Sequence, residues 1–263
     1  MLLEDRIAFV TGGAGRLGGA IAEVLLREGA HVILADRNGP AVKVRAEELD
    51  GTAGRKVVAV AGDVSKKDDV ARMVDESASA LGLADVVVNA HGIFPNCPVL
   101  DVEPDAWDEV FAVNVRGSML TIQAHARRWI EAGTRGAVVN ISSGAARSAR
   151  AGGAHYTGSK AAVNMMTEVM AIEFGPHGIR VNAVAPGLIM DDVVTEASAD
   201  RHPYVNMMLQ GTPLRRTGTG NDIAEAVAFL ASARSGWTTG AVLEITGGSH
   251  CGRTHMPLTQ NLR

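Results

Sequence analysis

The sequence predicts an α/β fold, a doubly wound parallel sheet of about seven strands with helices on both faces. Two observations lead to this prediction. Short runs rich in valine and isoleucine recur between longer amphipathic segments along the 263 residues. These runs show little apolar–polar alternation, which is typical of strands buried on both faces. Their regular alternation with helical segments favours right-handed crossovers between parallel strands.

Seven segments are predicted as strands because each is an apolar run of strand length: 6–10, 31–35, 56–60, 85–89, 136–142, 179–185 and 241–246. Amphipathic segments between them are predicted as helices: 15–29, 40–50, 66–81, 104–132, 155–175 and 221–232. No linker or repeat divides the chain, so we expect one domain over residues 1–263.

Two segments have no clear place in the sheet. Residues 188–216 contain methionines and prolines and are interpreted as a substrate lid, with an ordinary surface excursion as the alternative. The tail, residues 249–263, is either a frayed end or a segment that helps to close a pocket, where Arg253 would meet a carboxylate or a polyhydroxylated substrate.

Composition excludes several classes of function. The net charge of −4 and the pI of about 6.1 provide no basic field for nucleic acid or anionic lipid. Cys97 and Cys251 form no CxxC pair, which favours a reducing compartment. The N-terminal residues lack a basic signal-peptide region, and no run is long and apolar enough to span a bilayer. The histidines show no metal-ligand spacing, so we expect a cytoplasmic protein without a catalytic metal.

The first predicted strand leads through a glycine-rich turn, TGGAGRLGG, into a helix. Gly13, Gly15 and Gly18 fit the pattern G-x-G-x-x-G, and the flanking strand and helix are the context in which it binds a pyrophosphate. Asp36 ends the second strand, where its carboxylate would accept ribose hydroxyls and repel a 2′-phosphate. It therefore favours NAD, although it could instead cap the next helix.

Arg16 and Arg37 favour the opposite cofactor choice, because either could meet the 2′-phosphate of NADP. We predict NAD, with NADP as the less favoured cofactor.

Tyr156 and Lys160 lie four positions apart in a predicted helix and would share one face. A nearby ammonium lowers the pKa of a tyrosine from its usual value near 10, so the pair could serve as a general acid and base. Alone, the pair could equally be a solvated surface pair. Ser142 and Ser143 end the preceding strand, and Asn114 interrupts a helical run, where it either bends the helix or holds a water.

Together these motifs resemble the single-domain type of the short-chain dehydrogenase/reductase family, over essentially the whole chain to Gly248. The matching blocks are, in chain order, TGGAGRLG, GDV, NAHG, VNVRG, NISSGAA, YTGSK, VNAVAPGLI and TTGAVLEITGG. Ser143 precedes Tyr156 by thirteen residues, which is the spacing of the family's catalytic serine. The resemblance implies a Rossmann-like fold.

The resemblance also implies four catalytic residues. Tyr156 would be the acid and base, and Lys160 would lower its pKa and bind the nicotinamide ribose. Ser143, rather than Ser142, would polarise the reacting C–O group. Asn114 would hold the water of a proton relay.

The cofactor-binding residues implied by the resemblance are Gly12, Gly15, Arg16, Leu17, Gly18, Asp36, Arg37, Asp63, Val64, Asn89, Ala90, Gly92, Tyr156, Lys160, Pro186, Gly187 and Ile189. The chain departs from the family pattern at three places. Arg16 replaces a glycine of the turn, Ala90 and His91 replace the usual Asn and Ala, and Asp191 stands where threonine is common. His91 is expected either to pack at the cofactor's edge or to face the site.

The predicted function is an NAD-dependent oxidoreductase acting on a secondary alcohol or its ketone. The segment 190–208 mixes acidic residues with Arg201, His202 and Tyr204, which favours a small polar substrate such as a sugar, polyol or hydroxy acid. A 3-oxoacyl thioester reductase is the alternative enzyme. A non-catalytic dinucleotide sensor is the alternative of another class. The resemblance further implies a homotetramer paired through helices 104–132 and 155–175.

Overall fold

A computed structural model describes residues 1–195 and 203–252. Its strands form one seven-stranded parallel sheet: β1 (Ile7–Thr11), β2 (His31–Asp36), β3 (Val57–Ala61), β4 (Val86–Asn89), β5 (Ala137–Ile141), β6 (Arg180–Pro186) and β7 (Val242–Ile245). The strand order is β3-β2-β1-β4-β5-β6-β7. The chain thus reverses its direction of winding between β1 and β4, which confirms the doubly wound, Rossmann-like prediction.

Helices cover both faces of the sheet. They are α1 (Arg16–Arg27), α2 (Gly39–Leu49), α3 (Lys67–Leu81), α4 (Pro104–Phe111), α5 (Ser118–Ala132), α6 (Ala154–Phe174), α7 (Pro203–Gln210) and α8 (Gly220–Ala231). Helices α1, α2 and α8 pack into one hydrophobic core, and α3, α5 and α6 into the other.

Strand β2 shows why the predicted strands read as continuous apolar runs. Val32 and Leu34 enter the core beneath α1, whereas Ile33 and Ala35 enter the opposite core, and all are fully buried. Side chains alternate between the faces of a strand, so a sheet covered on both sides requires apolar residues at every position.

The helix predicted over 104–132 is interrupted. A π-helical turn, Ala112–Gly117, separates α4 from α5. At its centre the Asn114 side chain accepts a hydrogen bond from the Ile93 N–H and donates one to the Ile93 carbonyl. The Ser118 hydroxyl donates to the Asn114 carbonyl. The regular α-helix is thus interrupted where Asn114 is tied to Ile93.

The segment 188–216 is only partly described. Bridges join Ile189 to Gly218 and Thr195 to Arg216, and α7 follows. Residues 196–202, with Arg201 and His202, and the tail from residue 253, with Arg253, lie outside the described residues. In the part that is described, no helix combines the length and the apolar character needed to cross a membrane.

Candidate active site

A cavity of about 1280 Å³ opens at the carboxyl ends of the central strands. Gly12 follows β1, Ala90 follows β4, Ser142 follows β5 and Gly187 follows β6, and all four line it. In an open parallel sheet, this edge at the reversal of strand order is where ligands bind.

The glycine-rich turn forms one wall of the cavity. Gly12 has a φ of 68°, and a Cβ placed on it would lie 2.9 Å from the backbone of His91. A Cβ on Gly18 would lie 2.2 Å from the Gly12 carbonyl oxygen, so α1 can begin this close to the turn only with glycine there. Arg16, Leu17 and Gly18 line the cavity in the first turn of α1, where backbone N–H groups lack helical partners.

Gly13, which fits the literal G-x-G-x-x-G match, is not part of the cavity wall. A Cβ on Gly13 would meet the Leu34 side chain at 2.8 Å, so Gly13 packs against β2. Gly12, one residue earlier, faces the cavity together with Gly15 and Gly18.

Asp36 lies at the end of β2 and lines the cavity. Its carboxylate accepts hydrogen bonds from the Ala14 N–H, at 3.2 Å, and from the Asn38 N–H, at 2.9 Å. Asn38, not Asp36, caps α2 by accepting from the Ala41 N–H. The capping alternative for Asp36 is therefore wrong.

Two arginines lie near the end of the cavity that Asp36 lines. Arg37 is exposed and lines it. Arg16 forms a salt bridge of 3.1 Å with Asp191, which joins the glycine-rich turn to the segment after β6. Asp191, which stands where threonine is common in the family, thus pairs with an arginine of this chain.

Asp63 and Val64 follow β3 and line the same end of the cavity. The Asp63 carboxylate accepts from the Ser65 N–H and the Ser65 hydroxyl, which fixes this turn. Asn89 is fully buried and donates to the Asn140 side chain of the neighbouring strand at 2.9 Å. It is absent from the cavity wall and supports the sheet beneath it.

The remaining predicted cofactor residues, Ala90, Gly92, Pro186, Gly187 and Ile189, all line the cavity. Close approach requires glycine at position 187, because a Cβ there would lie 2.8 Å from the Thr246 Cα. A Cβ on Gly92 would lie 3.2 Å from Oδ1 of Asn114, which is a tight contact.

Tyr156 and Lys160 stand on the first turns of α6, with the Lys160 Nζ 6.0 Å from the centre of the Tyr156 ring. The ammonium is buried and donates to the Ile141 carbonyl at 2.8 Å, and burial lowers the pKa of Lys160 to about 8. Burial raises the pKa of Tyr156, while a hydrogen bond with Ser143 and the charge of Arg150 oppose that rise.

The geometry distinguishes the two serines that follow β5. The Ser142 hydroxyl is buried and donates to the Asn164 side chain at 2.5 Å. Ser143 lines the cavity and shares a hydrogen bond with Tyr156. Ser143 is therefore the serine that faces the cavity beside the tyrosine.

Asn114 is held one layer behind the cavity. Besides its two bonds to Ile93, its amide donates to the Ser159 hydroxyl at 2.9 Å. The Ser159 hydroxyl donates to the Tyr156 carbonyl at 2.7 Å. The side chain thus ties the π-helical turn to the first turns of α6.

His91 both lines the cavity and is fixed in the structure. One ring nitrogen faces the Val113 carbonyl at 3.1 Å, which can only accept, so Nε2 carries the proton. Nδ1 then accepts from the Thr11 hydroxyl at 2.6 Å. Burial lowers the pKa of His91 to about 3, so the ring is neutral at physiological pH. His91 therefore links β1 to the π-helical turn, as the packing interpretation anticipated.

The end of the cavity beyond Tyr156 contains a residue that sequence reasoning missed. The Arg150 guanidinium carbon lies 5.7 Å from the centre of the Tyr156 ring, and Arg150 lines the cavity. Phe94 stands edge-on to the same ring, with 6.3 Å between ring centres, and Met207 and Met208 of α7 also line this end. The signal was present, because Arg150 lies in the short loop between Ser143 and Tyr156.

Comparison with known proteins agrees with this geometry. A family model described as enoyl-(acyl carrier protein) reductase matches residues 12–250, from the glycine-rich turn past Tyr156. A short-chain type dehydrogenase/reductase from Mycobacterium marinum superposes with a TM-score of 0.86 at 32% identity, over 95% of this chain and 97% of that one. The chain belongs to the short-chain dehydrogenase/reductase family.

Two other members of this family are informative. The (3R)-3-hydroxyacyl-CoA dehydrogenase of Mus musculus is 36% identical over 94% of this chain and 96% of its own length. A gluconate 5-dehydrogenase from Burkholderia cenocepacia, solved in complex with NADP and tartrate, has a TM-score of 0.87 and 31% identity over 95% of this chain and 97% of that one. Members of the family similar to this chain thus act on different substrates.

Proposed function

We propose that this protein is an NAD-dependent oxidoreductase of secondary alcohols and ketones. The observation that carries the proposal is the convergence of Tyr156, Ser143 and Lys160 on one cavity with the glycine cradle. The cradle admits a pyrophosphate because a Cβ on Gly12 or Gly18 would collide with backbone. Once bound, the dinucleotide supplies a hydride acceptor or donor.

The chain's own residues position the substrate and move one proton. Ser143 would donate to the substrate oxygen. During oxidation Tyr156 would accept the hydroxyl proton as phenolate, because the positive charge of an oxidised nicotinamide ring would lower the pKa that burial raises. Reduction reverses both steps. The balanced change converts an alcohol and oxidised cofactor into a ketone, reduced cofactor and a proton. Lys160 would bind the nicotinamide ribose, and the proton would leave through water. Asn114 would support this relay by holding the start of α6, because its side-chain amide already bonds Ile93 and Ser159.

The preference for NAD rests on the charges around the adenosine end of the cavity. Asp36 presents a carboxylate at the end of β2, where it would repel a 2′-phosphate. Arg16, which could attract that phosphate, forms an exposed salt bridge with Asp191. Arg37 remains as the opposing charge, and NADP bound to the gluconate 5-dehydrogenase shows that the family accommodates it.

The proposed substrate is polar, and a specific observation also favours an alternative. Arg150 and Ser148 line the cavity beside Tyr156, which suits a sugar, a polyol or a hydroxy acid. Phe94, Met207 and Met208 provide apolar walls, and the similar mouse enzyme acts on hydroxyacyl-CoA. A 3-oxoacyl thioester reductase is therefore the second candidate. A non-catalytic sensor has less support, because all four catalytic residues are present.

The decisive experiment measures NADH and NADPH formation with sugars, polyols, hydroxy acids and 3-hydroxyacyl thioesters. Tyr156→Phe should lower kcat by about 10²- to 10⁴-fold, because it removes the proton acceptor, while NADH affinity changes little. Phe174→Leu on the same helix is the control. Turnover by Tyr156→Phe at near wild-type rates would eliminate this mechanism.

We also propose a cytoplasmic homotetramer with a substrate lid over 188–216, of which residues 196–202 lie outside the described part. Support for pairing through α4 and α6 comes from exposed Trp107, Met165, Val169 and Ile172 on these helices. Light scattering tests the assembly, since a monomer of 27.4 kDa would contradict it. Cell fractionation tests the location, and proteolysis with and without NADH tests the lid.

A further inference from the structure

The substrate end of the cavity contains an arginine, Arg150, that pairs with no acidic residue in the described part of the chain. Arg150 lies in the loop between β5 and α6, with its guanidinium carbon 5.7 Å from the centre of the Tyr156 ring. Among the residues that the structure describes, no carboxylate lies within ion-pairing distance of it. Arg147, three residues earlier, differs because it faces Glu244 at 3.9 Å and is not part of the cavity wall.

Three acidic residues that line the cavity form contacts away from Arg150. Asp191 lies at the start of the lid segment but pairs with Arg16 on the glycine-rich turn. Asp36 and Asp63 line the opposite, adenosine end, where they accept hydrogen bonds from the backbone. At the substrate end, Arg150 and the buried ammonium of Lys160 behind Tyr156 are positive. Glu244 lies behind Gly144, where it faces Arg147 and is not part of the cavity wall.

We propose that Arg150 binds the carboxylate of the substrate, so that the enzyme acts on small hydroxy acids and their oxo acids. This inference rests on the proposed function and specifies its substrate class. A guanidinium binds a carboxylate through two parallel charge-assisted hydrogen bonds. Because Arg150 lies beside the Tyr156 ring, the carboxylate is only a few bonds from the carbon whose hydroxyl meets Tyr156.

The same geometry disfavours the thioester alternative. The group nearest the reacting carbon of a 3-hydroxyacyl thioester is an uncharged carbonyl. Its phosphates lie at the far end of a long pantetheine arm and cannot reach Arg150 while the hydroxyl reaches Tyr156. Phe94 and Met207 instead provide apolar contact for the short carbon chain of a hydroxy acid.

A kinetic experiment compares acids with uncharged analogues. Lactate, malate, 3-hydroxybutyrate and gluconate are each assayed beside the corresponding primary amide, with wild type, Arg150→Gln, Arg150→Lys and Arg147→Gln. Wild type should prefer an acid over its amide. Arg150→Gln should lower kcat/KM for the acid by about 10- to 100-fold, mainly through KM. It should lower kcat/KM for the amide much less, because the amide loses only the effect of the Arg150 charge on Tyr156. Arg150→Lys should recover part of the loss, and Arg147→Gln should match wild type.

A binding experiment separates this inference from the proposed function. Malonate, which has no hydroxyl to oxidise, is titrated calorimetrically into each protein with NADH present. Malonate binding that Arg150→Gln weakens tenfold and Arg147→Gln retains supports the carboxylate site, even if no compound is turned over. Absence of malonate binding, equal binding by Arg150→Gln, or equal turnover of acids and amides by wild type would overturn it.

Discussion

At the scale of single residues, the choice of cofactor depends on how firmly each charged side chain is positioned. Asp36 and Arg37 are adjacent in sequence and oppose each other in cofactor choice. The structure fixes Asp36 through the Ala14 and Asn38 N–H groups, whereas Arg37 is exposed and pays more entropy to order. The carboxylate of Asp36 should therefore influence the choice of cofactor more than Arg37 does.

Asp36→Asn therefore tests the predicted preference for NAD. The amide keeps an oxygen that can accept from Ala14 but removes the charge that repels a 2′-phosphate. We expect the ratio of kcat/KM for NADP to that for NAD to rise by on the order of tenfold. Asp50→Asn, at the end of α2 and away from the cavity, is the control. An unchanged ratio would show that Asp36 does not choose the cofactor.

At the scale of elements, the start of α1 is set by close packing. Gly18 lies in the first turn of α1, where any side chain would meet the Gly12 carbonyl. The turn and the helix can hold their N–H groups around one anion only at this separation.

Gly18→Ala should therefore displace the turn. We expect NADH affinity to fall by about tenfold or more, as overpacking strains the backbone that forms the cradle. Gly175→Ala is the matched control, because its added Cβ meets no atom within 4 Å and its φ of −51° suits alanine. Fluorescence titration of NADH measures both, and equal affinity in the two variants would refute the packing argument.

Other elements could not be delimited from sequence. The helical pattern over 104–132 hides the π-helical turn, because the bond between Asn114 and Ile93 joins residues distant in sequence. The spacing of apolar residues shows which face of a helix is buried. It does not show that a side chain such as Asn114 forms hydrogen bonds with the backbone of another segment.

At the scale of the whole molecule, stability depends on groups kept neutral by burial. His125 donates from Nδ1 to the Thr121 carbonyl, and its ring packs between Phe9 and Trp129. Burial lowers the pKa of His125 to about 4 and that of His91 to about 3. Each histidine binds a proton in the unfolded chain, with a pKa near 6.5, before it does so in the folded protein.

The free energy of unfolding should therefore decrease as the pH is lowered from about 6.5 to about 4, because the unfolded chain binds more protons than the folded protein in this range. Each buried histidine contributes up to about 1.4 kcal/mol per pH unit. The paired carboxylate Asp222, with its pKa lowered to about 2 by Arg216, acts only at lower pH. Urea unfolding should show a shallower pH dependence for His125→Gln than for wild type or the exposed control His177→Gln. Identical slopes would exclude His125 from the effect.

The sequence by itself determined the sheet, the glycine-rich turn and the Tyr156–Lys160 pair. These features depend on local patterns: apolar runs, glycines at a turn and two residues one helical turn apart. Tertiary structure alone decided the rest. It directed Lys160 to the Ile141 carbonyl, paired Arg16 with Asp191 and placed Arg150 beside Tyr156. Such contacts arise when the fold brings separate loops together at the strand ends, and no spacing along the chain encodes that proximity.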